Sequence, residues 1–186
     1  MAVISNCYTE NSIRMDYTQD INKYFTVDGF GSCFNNIISN ERFNSLCKKY
    51  KFYLAFENSV CDDYITEKYC TPLRCGTIPI IMSYKHNLVN LIPGSYINAF
   101  DYHSPEHLAE YLFQIVNNFT LYKSYFEWKK HYKVTSCRIH SKTCEMVDII
   151  FRTRKFQIDD QSVSELLDES TCLSAKNTRE YLYRNV

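Results

Sequence analysis

At 186 residues the chain is long enough to bury a real core, yet it fits one domain or one domain with a tail. Its 45% hydrophobic and 23% charged content is that of a folded globular protein, and most of its 16 Tyr and 12 Phe are expected to pack. Lys plus Arg equals Asp plus Glu, 21 each, so the basic excess of a nucleic-acid binder is missing.

The first apolar run, Ala2 to Ile4, predicts a strand. Ile13, Tyr17, Ile21 and Tyr24 recur at helical spacing and give Ser12 to Phe25 one apolar face. Arg14 stands near the start of that helix, where a positive charge opposes the dipole; it is either a solvated surface charge or an anion ligand. Val27 to Phe30 predicts a second strand, and Glu41 to Lys49 a short helix. Phe52 to Phe56 is short and wholly apolar, as a strand buried on both faces should be, and a polar loop follows from Glu57 to Asp63. A helix is expected from about Tyr64, ended or kinked near Cys70 by Pro72. Ile78 to Met82 closes this βαβ unit, with Pro79 marking a strand start or bulge. Asn87 to Leu91 reads as one helical turn and Tyr96 to Phe100 as a further strand. Ser104-Pro105-Glu106 is a helix start, followed by the buried face of Leu108, Tyr111, Leu112 and Ile115. Another helix is expected over Leu121 to Tyr132. Strands alternating with helices predict an α/β domain with a mainly parallel sheet over 1–156. Residues 157–186, rich in polar side chains, read as a poorly ordered or loosely docked tail.

Nine cysteines suit an oxidising compartment, although sequence assigns no bridges and an odd count leaves one thiol over. The sequon Asn118-Phe119-Thr120 points the same way, with Asn118 as glycan acceptor. No apolar run approaches the roughly 20 residues of a membrane span, and MAVISNCYTE lacks the features of a signal peptide. His131, Cys137, His140 and Cys144 have no standard zinc spacing and read as disulfide or reduced thiols rather than ligands.

In parallel sheets, ligands bind where loops leave the carboxyl ends of the strands, and Glu57, Asn58, Ser59, Tyr64, Glu67 and Lys68 fall at or just after that edge. Tyr64, Glu67 and Lys68 have the spacing of one helical face. Lys68 and helix amides would suit a diphosphate, and Glu67 the hydroxyls of a ribose, so the set fits a sugar-nucleotide. The competing reading is a solvated face with an incidental ion pair. The chain has no D-x-D sequence, so a leaving diphosphate would be stabilised by Lys68, Arg14 and amides without a metal.

The stretch FYLAFENSVCDDYITEK, Phe52 to Lys68, resembles the signature of the α-1,3-fucosyltransferases, and Gly76 before Ile78-Pro79-Ile80-Ile81 matches its far end. Val3-Ile4-Ser5-Asn6 with Arg14, Asp101 to Pro105, and Tyr125 to Lys129 also look like family segments. The resemblance spans roughly Val3 to Phe151. It implies a Rossmann-like parallel sheet flanked by helices, equivalent to the C-terminal, donor-binding half of a GT-B glycosyltransferase. It implies inverting, metal-independent transfer of L-fucose from GDP-fucose to GlcNAc of a glycoprotein or glycolipid glycan, with no cofactor. Carried over by residue, Arg14, Asn58, Tyr64, Glu67 and Lys68 become GDP-fucose contacts, with Arg14 and Lys68 catalytic through the departing diphosphate. Family members are typically anchored in the Golgi membrane with the enzyme in the lumen; the acceptor domain, its carboxylate base and the anchor are expected outside this chain. Thr71-Pro72 and Ser83 depart from the pattern, at the signature helix and at a tight turn on the pocket rim. The alternative expectation is a catalytically silent nucleotide-sugar-binding module; a blander one is a scaffold that binds no nucleotide.

Overall fold

The computed structural model describes residues 1–8, 12–62, 64–83, 91–135, 137 and 172–184. Its centre is a five-stranded sheet built from β1 (Ala2–Val3), β2 (Gly29–Phe30), β3 (Phe52–Leu54), β4 (Ile78–Ile81) and β5 (Ile97–Asn98). The order is β2-β1-β3-β4-β5, and every neighbouring pair is parallel. The chain builds outward from β1 in one direction and from β3 in the other, so the loops after these two strands part at a topological switch point.

Helices cover both faces because parallel strands need crossovers. On one face Ala2, Leu54, Ile80 and Ile97 pack with Tyr17 and Ile21 of α1 (Arg14–Tyr24), and with Leu108, Leu112 and Ile115 of α4 (Pro105–Asn117). On the other face Tyr53, Ala55 and Ile81 meet Phe43 and Leu46 of α2 (Asn40–Leu46), and Tyr69 and Leu73 of α3 (Glu67–Cys75). Neighbours Tyr53 and Leu54 thus serve opposite cores, which is why the strand reads as an unbroken apolar run. Ser104 accepts from the His107 amide at 3.1 Å with Pro105 beginning α4, as its sequence predicts.

Three expectations are corrected. The helix predicted from Tyr64 begins instead at Glu67, because Thr66 takes the N-cap and leaves Tyr64 in the loop. Pro72 does not end that helix; it continues to Cys75 and is closed by Gly76, whose φ of 75° lets the Gly76 and Thr77 amides turn back to carbonyls of Leu73 and Pro72. The helix expected over Leu121 to Tyr132 splits into α5 (Phe119–Ser124) and a 3-10 turn over Glu127–Lys130. The turn expected at Asn87 to Leu91 lies, but for Leu91, outside the described residues.

The tail reading of 157–186 also changes where the chain is described. Residues 172–184 return to the domain: Cys172 is bonded to Cys61, and the Leu173 amide donates to the Val60 carbonyl at 2.8 Å. Then α6 (Ala175–Leu182) lays Leu182 and Thr178, both fully buried, into the core. Arg179 pairs with Asp16 at 2.7 Å, and the Arg184 guanidinium donates to the Phe100 carbonyl at 2.8 Å. Because Ala175, Thr178 and Leu182 share one short helical face amid polar residues, composition hides the docking surface.

Candidate functional site

The switch point is occupied by Arg14. As the first residue of α1 it is carried to the carboxyl ends of β1 and β3, and only 3% of it is exposed. Its guanidinium donates to the Asn6 carbonyl after β1 and to the Asn58 side-chain oxygen after β3, each at 2.5 Å. Ser12 adds a second tie, accepting from the Arg14 amide at 3.3 Å and donating to the Glu57 carbonyl at 3.4 Å. Arg14 Nε is buried with no hydrogen-bond partner among the described residues. Burial lowers the Arg14 pKa, while the nearby charge of Glu57 and the Tyr64 phenol act against that shift. An arginine starts high enough to stay protonated, so a fixed positive charge sits between the two loops.

A second cation lies at the start of α3. Glu57, buried, accepts from the Thr66 amide at 2.8 Å and from its hydroxyl at 2.7 Å, and holds the Lys68 ammonium at 3.0 Å. Thr66 also lies 3.1 Å from the ammonium, and Glu67 lies 3.3 Å from it. Desolvation lowers the Lys68 pKa, but the hydrogen bond and charge of Glu57, with help from Glu67, reverse the net shift to upward. Glu67, more exposed, is shifted downward: desolvation opposes this, and its backbone hydrogen bond and Lys68 outweigh it. The result is an ammonium pinned at a helix N-terminus, facing the same edge as Arg14.

Of the five residues expected to form the site, four are brought together here: Arg14 bonds Asn58, and Lys68 pairs with Glu67. Tyr64 stands in the connecting loop and influences Arg14 electrostatically, but it does not share a helical face with Glu67 and Lys68. Sequence reasoning places Glu57 at the ligand edge without a partner, and assigns no role to Thr66 or Asn6. The visible signal was a threonine directly before Glu67, a good N-cap, nine residues after the only acid that ends β3. Cavities of about 400 and 480 Å3 lie elsewhere, beside Arg74 toward the other end of α3.

Disulfides tie this edge down. Cys7–Cys33 holds the loop that supplies Asn6, Cys61–Cys172 holds the loop that supplies Asn58, and α3 is fastened through Cys70–Cys137 and Cys47–Cys75. All eight described cysteines are therefore paired, and Cys137 is a bridge partner rather than a zinc ligand; His140 and Cys144 lie outside the described residues. Ser83, at the departure from the family pattern, is buried and exchanges hydrogen bonds between its backbone and the Asn98 amide at 3.2 and 2.9 Å. Its φ is not positive, so no glycine is required there. Asn118 is exposed and caps α5 with its side-chain oxygen, which accepts from the Leu121 amide at 3.0 Å. Among the described residues no group of three or more His, Cys, Asp or Glu could hold a metal ion, and no helix is long and apolar enough to cross a membrane.

Comparison with known proteins follows the same line. A family model described as glycosyltransferase family 10 (fucosyltransferase), C-terminal part, matches residues 1–168. GDP-fucose protein O-fucosyltransferase 3 of Xenopus laevis is 32% identical over 182 residues, covering 91% of this chain and 37% of its own length. Human 4-galactosyl-N-acetylglucosaminide 3-alpha-L-fucosyltransferase 9 is 34% identical over 158 residues, 83% of this chain and 44% of its own. A crystal structure of an alpha1,3-fucosyltransferase with GDP superposes with a TM-score of 0.59 at 26% identity, covering 68% of this chain and 37% of that one. The parallel sheet flanked by helices is thus a GT-B-type lobe, and the chain spans less than half the length of these relatives.

Proposed function

The chain belongs to glycosyltransferase family 10, the fucosyltransferases, and from that premise we propose that it is a donor-binding lobe that holds GDP-fucose where the loops after β1 and β3 part. The observation that carries this reading is Arg14, a buried cation aimed at the switch point and steadied by Asn6 and Asn58. GDP would take its diphosphate to Arg14, Lys68 and the first amides of α3, and its ribose hydroxyls to Glu67. Asn58 and Tyr64 complete the contacts from the loop.

In the whole enzyme an acceptor hydroxyl, giving up its proton to a general base, attacks the fucose anomeric carbon, the carbon–oxygen bond to GDP breaks, and negative charge grows on the departing diphosphate. Arg14 and Lys68 are placed to meet that charge, and because Glu57 and the asparagines already hold them, little reorganisation is needed. This stabilisation uses no metal in our reading. The acceptor we propose is GlcNAc of a glycoprotein or glycolipid glycan, in α-1,3 linkage with inversion. A protein hydroxyl is the second reading, favoured by the O-fucosyltransferase relative aligned over 91% of the chain. We place the protein on the lumenal side of the Golgi, a reading supported by four disulfides and the exposed Asn118 sequon.

Calorimetric titration of the purified chain in EDTA tests the donor site. GDP and GDP-fucose should bind, and Arg14→Ala should weaken GDP at least tenfold, the loss of roughly 1.5 kcal/mol expected for one charge-assisted contact. Absence of GDP binding to the folded chain overturns the reading, and binding that appears only on adding a divalent cation overturns its metal-free part.

A further inference from the structure

The other end of α3 carries chemistry that the donor edge does not use. Arg74, Lys129 and Lys133 are exposed, and none makes an ion pair among the described residues. They line one cavity of about 480 Å3 together with Trp128 and Tyr132, a volume within the range of small-molecule sites. The neighbouring acid, Glu127, is already taken by Lys130. Trp128 is 6% exposed, and its indole N–H is buried without a hydrogen-bond partner among the described residues.

The walls are held. Leu73 anchors α3 in the core, and Cys70–Cys137 ties the helix to the segment bearing Tyr132 and Lys133. Lys129 lies over the rings of Phe126 at 4.8 Å and Trp128 at 5.7 Å. Arg74, Lys129 and Lys133 are all donors and carry positive charge, so the matching ligand presents acceptors and negative charge. Tyr132, half exposed, adds an aromatic face beside the cations. Seven residues of helix separate Arg74 from Glu67, about 10 Å at 1.5 Å per residue, so the cavity is distinct from the donor edge.

We propose that this cavity is a second binding site, for an acidic saccharide whose sulfate or carboxylate is held by Arg74, Lys129 and Lys133 while a sugar ring lies on Tyr132. Preferring a saccharide to a free anion rests on Tyr132 and on the fucosyltransferase reading above; the cation cluster stands without it. Such a site holds an acidic glycan beside the lobe without engaging the reacting atoms.

The chain has one tryptophan, so its intrinsic fluorescence reports on this cavity. The 186-residue chain is titrated with a heparin-derived tetrasaccharide and with 3′-sialyllactose, in the presence and absence of saturating GDP, with lactose and inorganic sulfate as controls. A saturable change is expected with at least one acidic saccharide, unaffected by GDP and weakened by added salt. Lys129→Ala/Lys133→Ala should bind at least tenfold more weakly, with unchanged circular dichroism; Arg74→Ala, also exposed, is the second variant should the first fail to fold. No saturable change with either acidic saccharide, an equal response to lactose, displacement by GDP, or parental binding by the folded variants would each overturn the proposal. A response to sulfate matching that of the saccharides overturns the saccharide assignment. Failure of GDP to bind in calorimetry counts against the donor site alone, since this signal is read from a different cavity.

Discussion

Glu57 is the residue on which the site's second cation depends, and replacing it tests the whole arrangement. Glu57→Ala removes the acceptor of the Thr66 amide and hydroxyl and leaves Lys68 without its buried counter-ion. Breaking a buried pair from one side costs about 3–5 kcal/mol. Lys68 is 26% exposed, so water recovers part of its charge, and the lower half of that range, about 3–4 kcal/mol, is expected. For a chain of this size that is a fall in Tm of roughly 6–16 °C. Glu57→Gln keeps an acceptor for the Thr66 amide but loses the charge and turns the oxygen facing Lys68 into an N–H donor, so about 1–3 kcal/mol, less than for alanine, is expected. Urea unfolding with disulfides intact measures both, provided the slope is unchanged. Adding Lys68→Ala closes the cycle: the double variant should be more stable than the sum of the singles implies, by about 1–2 kcal/mol, because the second change removes a charge the first left uncompensated. Glu57→Ala within about 1 kcal/mol of the parent, or additive single effects, would refute a Glu57-held Lys68.

Two further substitutions probe elements that frame the edge. Leu182→Ala, at a fully buried position of α6, should destabilise by about 2–5 kcal/mol in the same urea assay, whereas a loosely docked tail would lose almost nothing. Gly76→Ala should cost about 1–2 kcal/mol, from the left-handed backbone alone: an added Cβ meets nothing nearer than Lys129 Nζ at 3.8 Å, so a much larger loss would point to a clash the structure does not contain.

What could be read from the sequence follows from how local each signal is. The β3 and β4 runs were legible because a strand buried on both faces needs apolar side chains at every position, and Ser104-Pro105 announced α4 because a cap is made by adjacent residues. Tyr64 was misplaced because its spacing to Glu67 and Lys68 mimics a helical face; a three-residue interval cannot tell a helix from a loop that Thr66 then caps. Pro72 predicts an end or a kink because a proline removes one hydrogen bond, yet packing of Tyr69 and Leu73 and two disulfides carry the helix past it. Bridges such as Cys61–Cys172, separated by 111 residues, have no local signature at all.

Arg14 shows why the site itself needed more than local reading. A positive charge at a helix N-terminus is locally unfavourable, and the sequence alone left open whether it was merely solvated. Its partners, Asn6 and Asn58, lie 8 and 44 residues away and meet only because β1 and β3 are neighbours in the sheet. Once they meet, the charge is buried, bonded to Asn6, Asn58 and the Phe56 carbonyl, and still has an Nε without a partner among the described residues. A buried guanidinium with no ion pair among the described residues is expensive to keep, since the more distant charge of Glu57 does not outweigh its desolvation. An anionic ligand arriving between the two loops supplies that missing partner, and the same unfavourable local placement then becomes binding energy directed at the diphosphate.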